Sequence, residues 1–228
     1  MNQFEIIDTK VRITADNDKE AENVRELLKE NKVFLVNLMA SPGAGKTTTL
    51  ERTIRALKED YRIGVMEADV DHDIDAKRIA ATGAKVIQLH TGGSCHMDAD
   101  MTLRGLERLD ISDLDLVFLE NVGNLVCPAE FDVGANIKAM ILSVPEGDDK
   151  PLKYPLMFQV SDVLLVNKTD VREVFDFDTD RLQSYVRKLN EKMPVIEISA
   201  KNGDGFEAWI EWLKNKIEEW RNVSITHD

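Results

Sequence analysis

Short apolar runs alternate with amphipathic stretches along most of this 228-residue chain. VFLVNLM (33–39), RIGVMEA (62–68), KVIQLH (85–90) and LDLVFLE (114–120) lack helical periodicity. So do IKAMILSV (137–144), VLLVN (163–167) and VIEIS (195–199). Each is too short for a buried helix, and the pattern predicts buried strands. Helical spacing of apolar positions predicts helices over 47–59, 74–81, 97–109, 178–191 and 205–219. Such alternation predicts an α/β fold, a three-layer sandwich with a mostly parallel central sheet covered on both faces. Ligands of that architecture lie at the carboxyl ends of the strands, so functional residues are sought just after each run.

Two segments fall outside the alternation. Residues 18–31 read as a polar helix with Ala21, Val24, Leu27 and Leu28 on one stripe. EIIDTKVRI (5–13) before it reads as a short strand or extended arm. The chain thus divides into an N-terminal arm and helix (1–31) and a core domain (32–228). PEGDDKPLKYP (145–155) holds three prolines and several charges, and reads as an exposed, mobile loop.

Composition narrows the function. No apolar run approaches the roughly 18 residues of a membrane span, and the first residues lack a signal-peptide pattern. A cytoplasmic protein with no membrane partner is expected. The formal net charge of −13 argues against a nucleic-acid partner and suits solubility or cation binding. The two cysteines, Cys95 and Cys127, do not make a disulfide framework. They are buried small hydrophobes or ligands.

The first run leads into Ala40-Ser41-Pro42-Gly43-Ala44-Gly45-Lys46-Thr47, with Thr48 following and a helical pattern beyond. This is P-loop spacing in its strand–loop–helix setting, with Ala40 where the first glycine usually stands. Gly43, Ala44 and Gly45 let backbone N–H groups curl around phosphates at a helix N-terminus. Lys46 is placed to reach the β and γ phosphates, and Thr47 to bind Mg²⁺.

The run VLLVN ends in Asn167-Lys168-Thr169-Asp170, and the last run in Ser199-Ala200-Lys201. A carboxylate at Asp170 matches the two donors on the guanine edge. Adenine would leave it unpaired. Lys168 can lay its stem along the base. At the phosphate loop, NKTD and SAK the chain resembles the G-protein family, which implies GTP and GDP, with the Ala200 N–H expected at the guanine carbonyl.

Acids follow two other runs. Asp69 ends RIGVMEA-Asp69 and is a candidate for Mg²⁺ or its water shell, with Asp75 a second candidate; Asp73 reads as a helix cap. Glu120 is placed to hold a Mg²⁺ water or orient the attacking water. Gly123 can give an amide to the γ-phosphate, the usual logic of a nucleotide switch. Cys95 and His96 follow KVIQLH, and Cys127 lies four residues past Gly123. Two strand ends can bring them together as a Ni²⁺ or Zn²⁺ site. Three ligands leave the fourth open: water, Asp98, Asp100, or a group from a second subunit.

SPGAGKTT, Cys95-His96, ENVGNLVCP, DDKPLKYP, NKTD and SAK together resemble the HypB family of hydrogenase nickel-incorporation GTPases, which are SIMIBI-class P-loop G proteins. The resemblance spans about residues 18–220. It implies a mixed, mainly parallel sheet, a GTP-dependent homodimer and slow GTP hydrolysis. It also implies delivery of Ni²⁺ to the large subunit of [NiFe]-hydrogenase alongside other maturation proteins. Cys95, His96 and Cys127 match the family's metal site, and Lys153 a basic residue acting across the dimer near the nucleotide. This chain departs from members with a cysteine-rich N-terminus or a histidine-rich stretch, so high-affinity nickel storage is not expected. The urease-maturation GTPase carries Cys-Pro-His where this chain has Cys127-Pro128-Ala129. A G-protein chaperone for a cobalamin-type enzyme is the other alternative, and NKTD disfavours a small-molecule kinase.

Overall fold

A computed structural model describes the backbone of residues 9–69 and 74–225, with side chains from 15 to 68 and 74 to 223. Seven strands, β1 (Phe34–Ala40), β2 (Ile63–Asp69), β3 (Lys85–His90), β4 (Leu116–Glu120), β5 (Ile137–Ser143), β6 (Val163–Asn167) and β7 (Val195–Glu197), form one sheet in the order β3-β2-β4-β1-β5-β6-β7. All of its pairings are parallel. The resemblance had implied a mixed sheet, and among the described residues no antiparallel strand joins it.

The alternation of β1 sorts the layers. Phe34, Val36, Leu38 and Ala40 face one core with α2 (Lys46–Leu57), α3 (Ile74–Ala80) and α9 (Phe206–Ile225). There the Trp209 indole N–H donates to Thr53 Oγ1 at 2.9 Å, satisfying a fully buried ring. Leu35 and Met39 face the opposite side. Leu35 packs with α1 (Thr9–Asn31) and α4 (Ala99–Leu109), Met39 with α7 (Pro155–Val160) and α8 (Thr179–Leu189). Between them, at the centre of the strand, sits the buried amide of Asn37. Burial on both faces explains why the strands read as continuous apolar runs.

Two sequence expectations need correction. Thr9–Ile13 continue α1 rather than forming a strand or extended arm. No glycine or proline interrupts Thr9–Asn31, and β-branched residues carry only a small helical penalty. The segment 145–155 is not a free loop either. Val144–Glu146 form a 3-10 turn, and Lys150–Lys153 (α6) and Pro155 onward form helical turns. Asp148 is only 4% exposed; its carboxylate accepts from the Asp178 N–H at 2.7 Å and from Arg181 at 2.6 Å. That buried acceptor ties the proline-rich turns to the start of α8. No described helix is long and apolar enough to cross a membrane.

Candidate nucleotide and metal sites

The carboxyl ends of β1, β2 and β4 open into a cleft of about 480 Å³. Gly43, Gly45, Lys46, Thr47 and Thr48 line one side; Glu120 and Gly123 face them. Ala40 is the last residue of β1 and fully buried, so the position needs no glycine. Gly45 does: its φ is +99°, and a Cβ there would lie 2.5 Å from Asn167 Nδ2. Ala44 is buried behind the loop. Asp75 and Arg78 of α3 form the outer wall, 3.1 Å apart, and Arg78 also pairs with Glu51 at 2.8 Å. The backbone of Asp69 ends β2, but its side chain and residues 70–73, Asp73 included, lie outside the described residues.

Glu120 sits where the sequence expects an acid, buried and accepting from the Thr47 hydroxyl at 2.8 Å. Sequence reasoning missed its neighbour. Glu67 is the register partner of Glu120 across β2 and β4, and each is 3% exposed. Burial, then the Glu120 charge, pushes the Glu67 carboxyl up to about 10. Burial also raises Glu120, against the pull of Lys46 and Thr47. One oxygen of each acid has no hydrogen-bond partner. The two buried carboxyls and the Thr47 hydroxyl form an all-oxygen donor set that fits Mg²⁺, with the Lys46 ammonium beside it. The signal was available: Glu67 interrupts an apolar run next to its carboxyl end.

The base end is fully cross-braced. Asn167 Nδ2 donates to Ala44 O (2.9 Å), and its Oδ1 accepts from the Lys168 and Ala200 N–H groups (2.8 and 3.0 Å). The Ala200 N–H expected at a guanine carbonyl is therefore engaged by Asn167 here. Lys168, in left-handed backbone, reaches Gly43 O at 2.6 Å. Asp170 Oδ1 accepts from the buried Ser199 hydroxyl at 2.7 Å, and Lys201 Nζ lies 3.8 Å from Oδ2. Arg52 of α2 donates to Ala200 O and Lys201 O, both at 3.0 Å, and so fixes the last loop. Lys153 is not brought to this cleft. It is more than half exposed on α6, paired with Asp149 at 2.6 Å.

Cys95, His96 and Cys127 converge, with one ligand atom of each within 4.8 Å of the others. Cys95 and His96 lie on the loop after β3. Cys127 starts the short α5 (Cys127–Glu130), in the connection after β4. The thiols are free and their sulfurs 2.6 Å apart. Phe131 stacks on the His96 ring at 3.9 Å. Burial lowers the His96 pKa against Asp98 and Glu130, favouring the neutral ring that binds metals. The hydrogen bond with Cys95, then burial, raises the Cys127 thiol, so metal binding there must release protons. Neither carboxylate expected as fourth ligand joins the group. Asp98 caps α4 through the Met101 N–H, and Asp100 pairs with Arg104. Both are committed to helix α4, whose start the sequence pattern had placed two residues too early.

The two sites share a wall. A Cβ on Gly123 would stand 3.1 Å from Pro42 of the phosphate loop, so the two backbones lie close enough that a larger residue there would crowd them. Four residues later comes Cys127.

Comparison with known proteins agrees with this geometry. Residues 34–197 match the model of the CobW/HypB/UreG nucleotide-binding domain. The chain is 44% identical over 216 residues to the hydrogenase maturation factor HypB of Azotobacter chroococcum, covering 95% of this chain and 71% of that one. It is 34% identical to a probable hydrogenase maturation factor HypB of Methanocaldococcus jannaschii, with 96% and 99% covered. Among solved structures, HypB from Helicobacter pylori in complex with nickel superposes with a TM-score of 0.85 at 36% identity. That match covers 90% of this chain and 96% of the other. HypB from Archaeoglobus fulgidus gives 0.83 at 38% identity, with 89% and 99% covered. A P-loop cleft and a Cys-His-Cys cluster on one all-parallel sheet, matched over nine-tenths of the chain, make this protein a member of the HypB family within the CobW/HypB/UreG nucleotide-binding domains.

Proposed function

We propose that the protein is a GTP-hydrolysing metallochaperone that helps insert nickel into [NiFe]-hydrogenase. The observation that carries the reading is the shared wall: the loop bearing Gly123 touches the phosphate loop at one end and delivers Cys127 to the Cys-His pair at the other. The hydrogenase maturation factors to which the chain is similar, one of them solved with nickel, support the cargo and the partner.

In this reading Asp170 accepts the guanine N1–H and N2–H₂ donors, and Ser199 holds the carboxylate in position. Lys46 neutralises the β and γ phosphates. Thr47 and Glu120 hold Mg²⁺, with Asp69 and Asp75 as further candidates; Glu67 stands behind Glu120. When bound, Mg²⁺ supplies charge stabilisation at the γ-phosphate. Which acid orients the attacking water follows from the same set: Glu120 or an acid of β2's carboxyl end. Gly123 offers its N–H to the γ-phosphate, and hydrolysis frees that loop. Cys95, His96 and Cys127 carry Ni²⁺, and accept Zn²⁺ by the same donor chemistry. An incomplete ligand set suits a carrier that must release its metal.

A GTP-dependent homodimer fits the exposed apolar side chains beside the base loop: Val174 is 79% exposed and Phe175 41%. Lys153, more than half exposed on α6 and outside the lining of its own phosphate cleft, is read as acting in a partner's. Titration of Ni²⁺ into the protein with GDP and with a non-hydrolysable GTP analogue tests the reading. Different affinities are expected; equal affinity in every nucleotide state overturns it.

A further inference from the structure

The metal site is built on two limbs that belong to different strands. Cys95 and His96 sit on the limb after β3, and Cys127 on the limb after β4. A nucleotide signal arriving at Gly123 pulls on the second limb only. If both limbs moved as one body, the ligand spacing would stay constant and the metal would sense nothing. Coupling therefore needs one limb to be held still.

The side chain of Asn121 is placed to do this. It is 1% exposed and follows Glu120 directly. Its Oδ1 accepts from the Met97 N–H at 3.1 Å, one residue past His96, and from the Val122 N–H at 2.9 Å. Its Nδ2 donates to Asn37 Oδ1 at 3.1 Å. Asn37 is the one polar residue in the fully buried strand β1, and neither the cleft nor the metal group uses it. A buried amide is costly unless hydrogen-bonded, and Asn37 Nδ2 has no partner, so the bond from Asn121 to its Oδ1 is kept against that cost. The Asn121 N–H also donates to Leu38 O at 3.0 Å, extending the β4–β1 ladder by one bond. Beyond Val122 the second limb leaves the sheet.

We propose that Asn121 is the positioning residue that pins the Cys95–His96 limb to the sheet core, so that nucleotide-driven motion of the Cys127 limb changes the ligand spacing. This rests on the reading that nucleotide state sets metal affinity. The amide is the hinge pin: fixed to β1 on one side, it holds Met97 on the other, and the chain that moves begins at its own C-terminal neighbour. Its contribution is to the difference between states, not to metal affinity as such.

The test is Ni²⁺ titration of the full chain and its Asn121→Ala variant, each with GDP and with a non-hydrolysable GTP analogue. For the wild type the two Kd values should differ by a factor of roughly 5–150. Asn121 also lines the nucleotide cleft, so both proteins are first shown to be saturated with each nucleotide; in Asn121→Ala the ratio should then fall to within about twofold of unity while Ni²⁺ still binds, because the freed limb follows its partner. A merely structural role would weaken both states alike and keep the ratio. A variant that retains the wild-type ratio overturns the inference. A wild-type ratio of one overturns the parent reading instead, which keeps the two failures distinct. Should the variant not fold, amide hydrogen exchange of the wild type decides. Met97 should exchange equally slowly in both states while Val122 and Gly123 change; a Met97 amide that tracks Val122 removes the pin.

Discussion

The loops read as the base end and the metal end both leave the carboxyl end of one sheet, after β6 and β7 and after β3 and β4, yet they differ in how they are held. At the base end, every polar group expected to touch the nucleotide has a partner: Asp170 has Ser199, Asn167 bridges the phosphate loop and Ala200, and Lys168 reaches Gly43. At the metal end Cys95 is exposed, Cys127 half-buried, and Asn124 Nδ2 touches Cys95 O at only 3.4 Å. The first arrangement preorganises acceptors, so selectivity for the base costs little reorganisation. The second leaves soft donor atoms more exposed and less braced.

Breaking the rigid end should have the larger effect. Asp170→Asn exchanges an acceptor for a donor opposite the guanine edge. Losing two bonds to a charged group at about 1.5–3 kcal/mol each predicts a fall in GTP affinity of roughly 10²-fold or more. Xanthosine triphosphate should bind in its place, and competition with labelled nucleotide reads both. An unchanged base preference means that another group selects the base. At the metal end, Cys127→Ala should weaken Ni²⁺ and Zn²⁺ by about 100-fold or more, since even outer-shell losses cost 10–100-fold. GTP affinity should stay within about twofold, because the thiol makes no bond to the cleft. Equal metal binding by both proteins would reduce the sulfurs to incidental neighbours. A finer probe of preorganisation is Ser199→Ala. Removing one hydroxyl that orients Asp170 should cost about 1 kcal/mol, or roughly fivefold in GTP affinity, with guanine still preferred. Loss of base preference would show that Ser199 itself reads the base.

The last test reads stability rather than binding, and concerns the acid pair behind the phosphates. Glu67 has its folded-state pKa raised to about 10. The folded protein therefore holds a proton that the unfolded chain gives up near the ordinary carboxyl value. Stability from this group is full below that value and declines as pH rises toward about 10. Without nucleotide and metal, the wild type should lose melting temperature between pH 6 and 9 relative to Glu67→Gln, which cannot ionise. Parallel melting curves across that range would show that Glu67 does not titrate so high.

The same contrast explains what could be read early. Strand runs, the phosphate loop and NKTD are contiguous patterns whose chemistry follows from spacing along the chain. Each emerged at its predicted place. Errors arose where long-range contacts overrode local signals. Pro145, Pro151 and Pro155 suggested a free loop, but Arg181, far along the chain, clamps Asp148. Asp98, one of four options for a fourth ligand, caps α4 through the Met101 N–H.

By itself the sequence determined the α/β layering, the phosphate loop and the three residues of the Cys-His-Cys cluster, because each rests on periodicity or on chemistry that residue identity carries. Only the tertiary structure decided that Glu67 pairs in register with Glu120, that Lys153 lies outside the lining of the phosphate cleft and that Asn121 bonds both Asn37 and the Met97 N–H. Those facts depend on which strands become neighbours and in what register. β2 and β4 are adjacent only because the sheet order runs β3-β2-β4-β1, and no local pattern records that order.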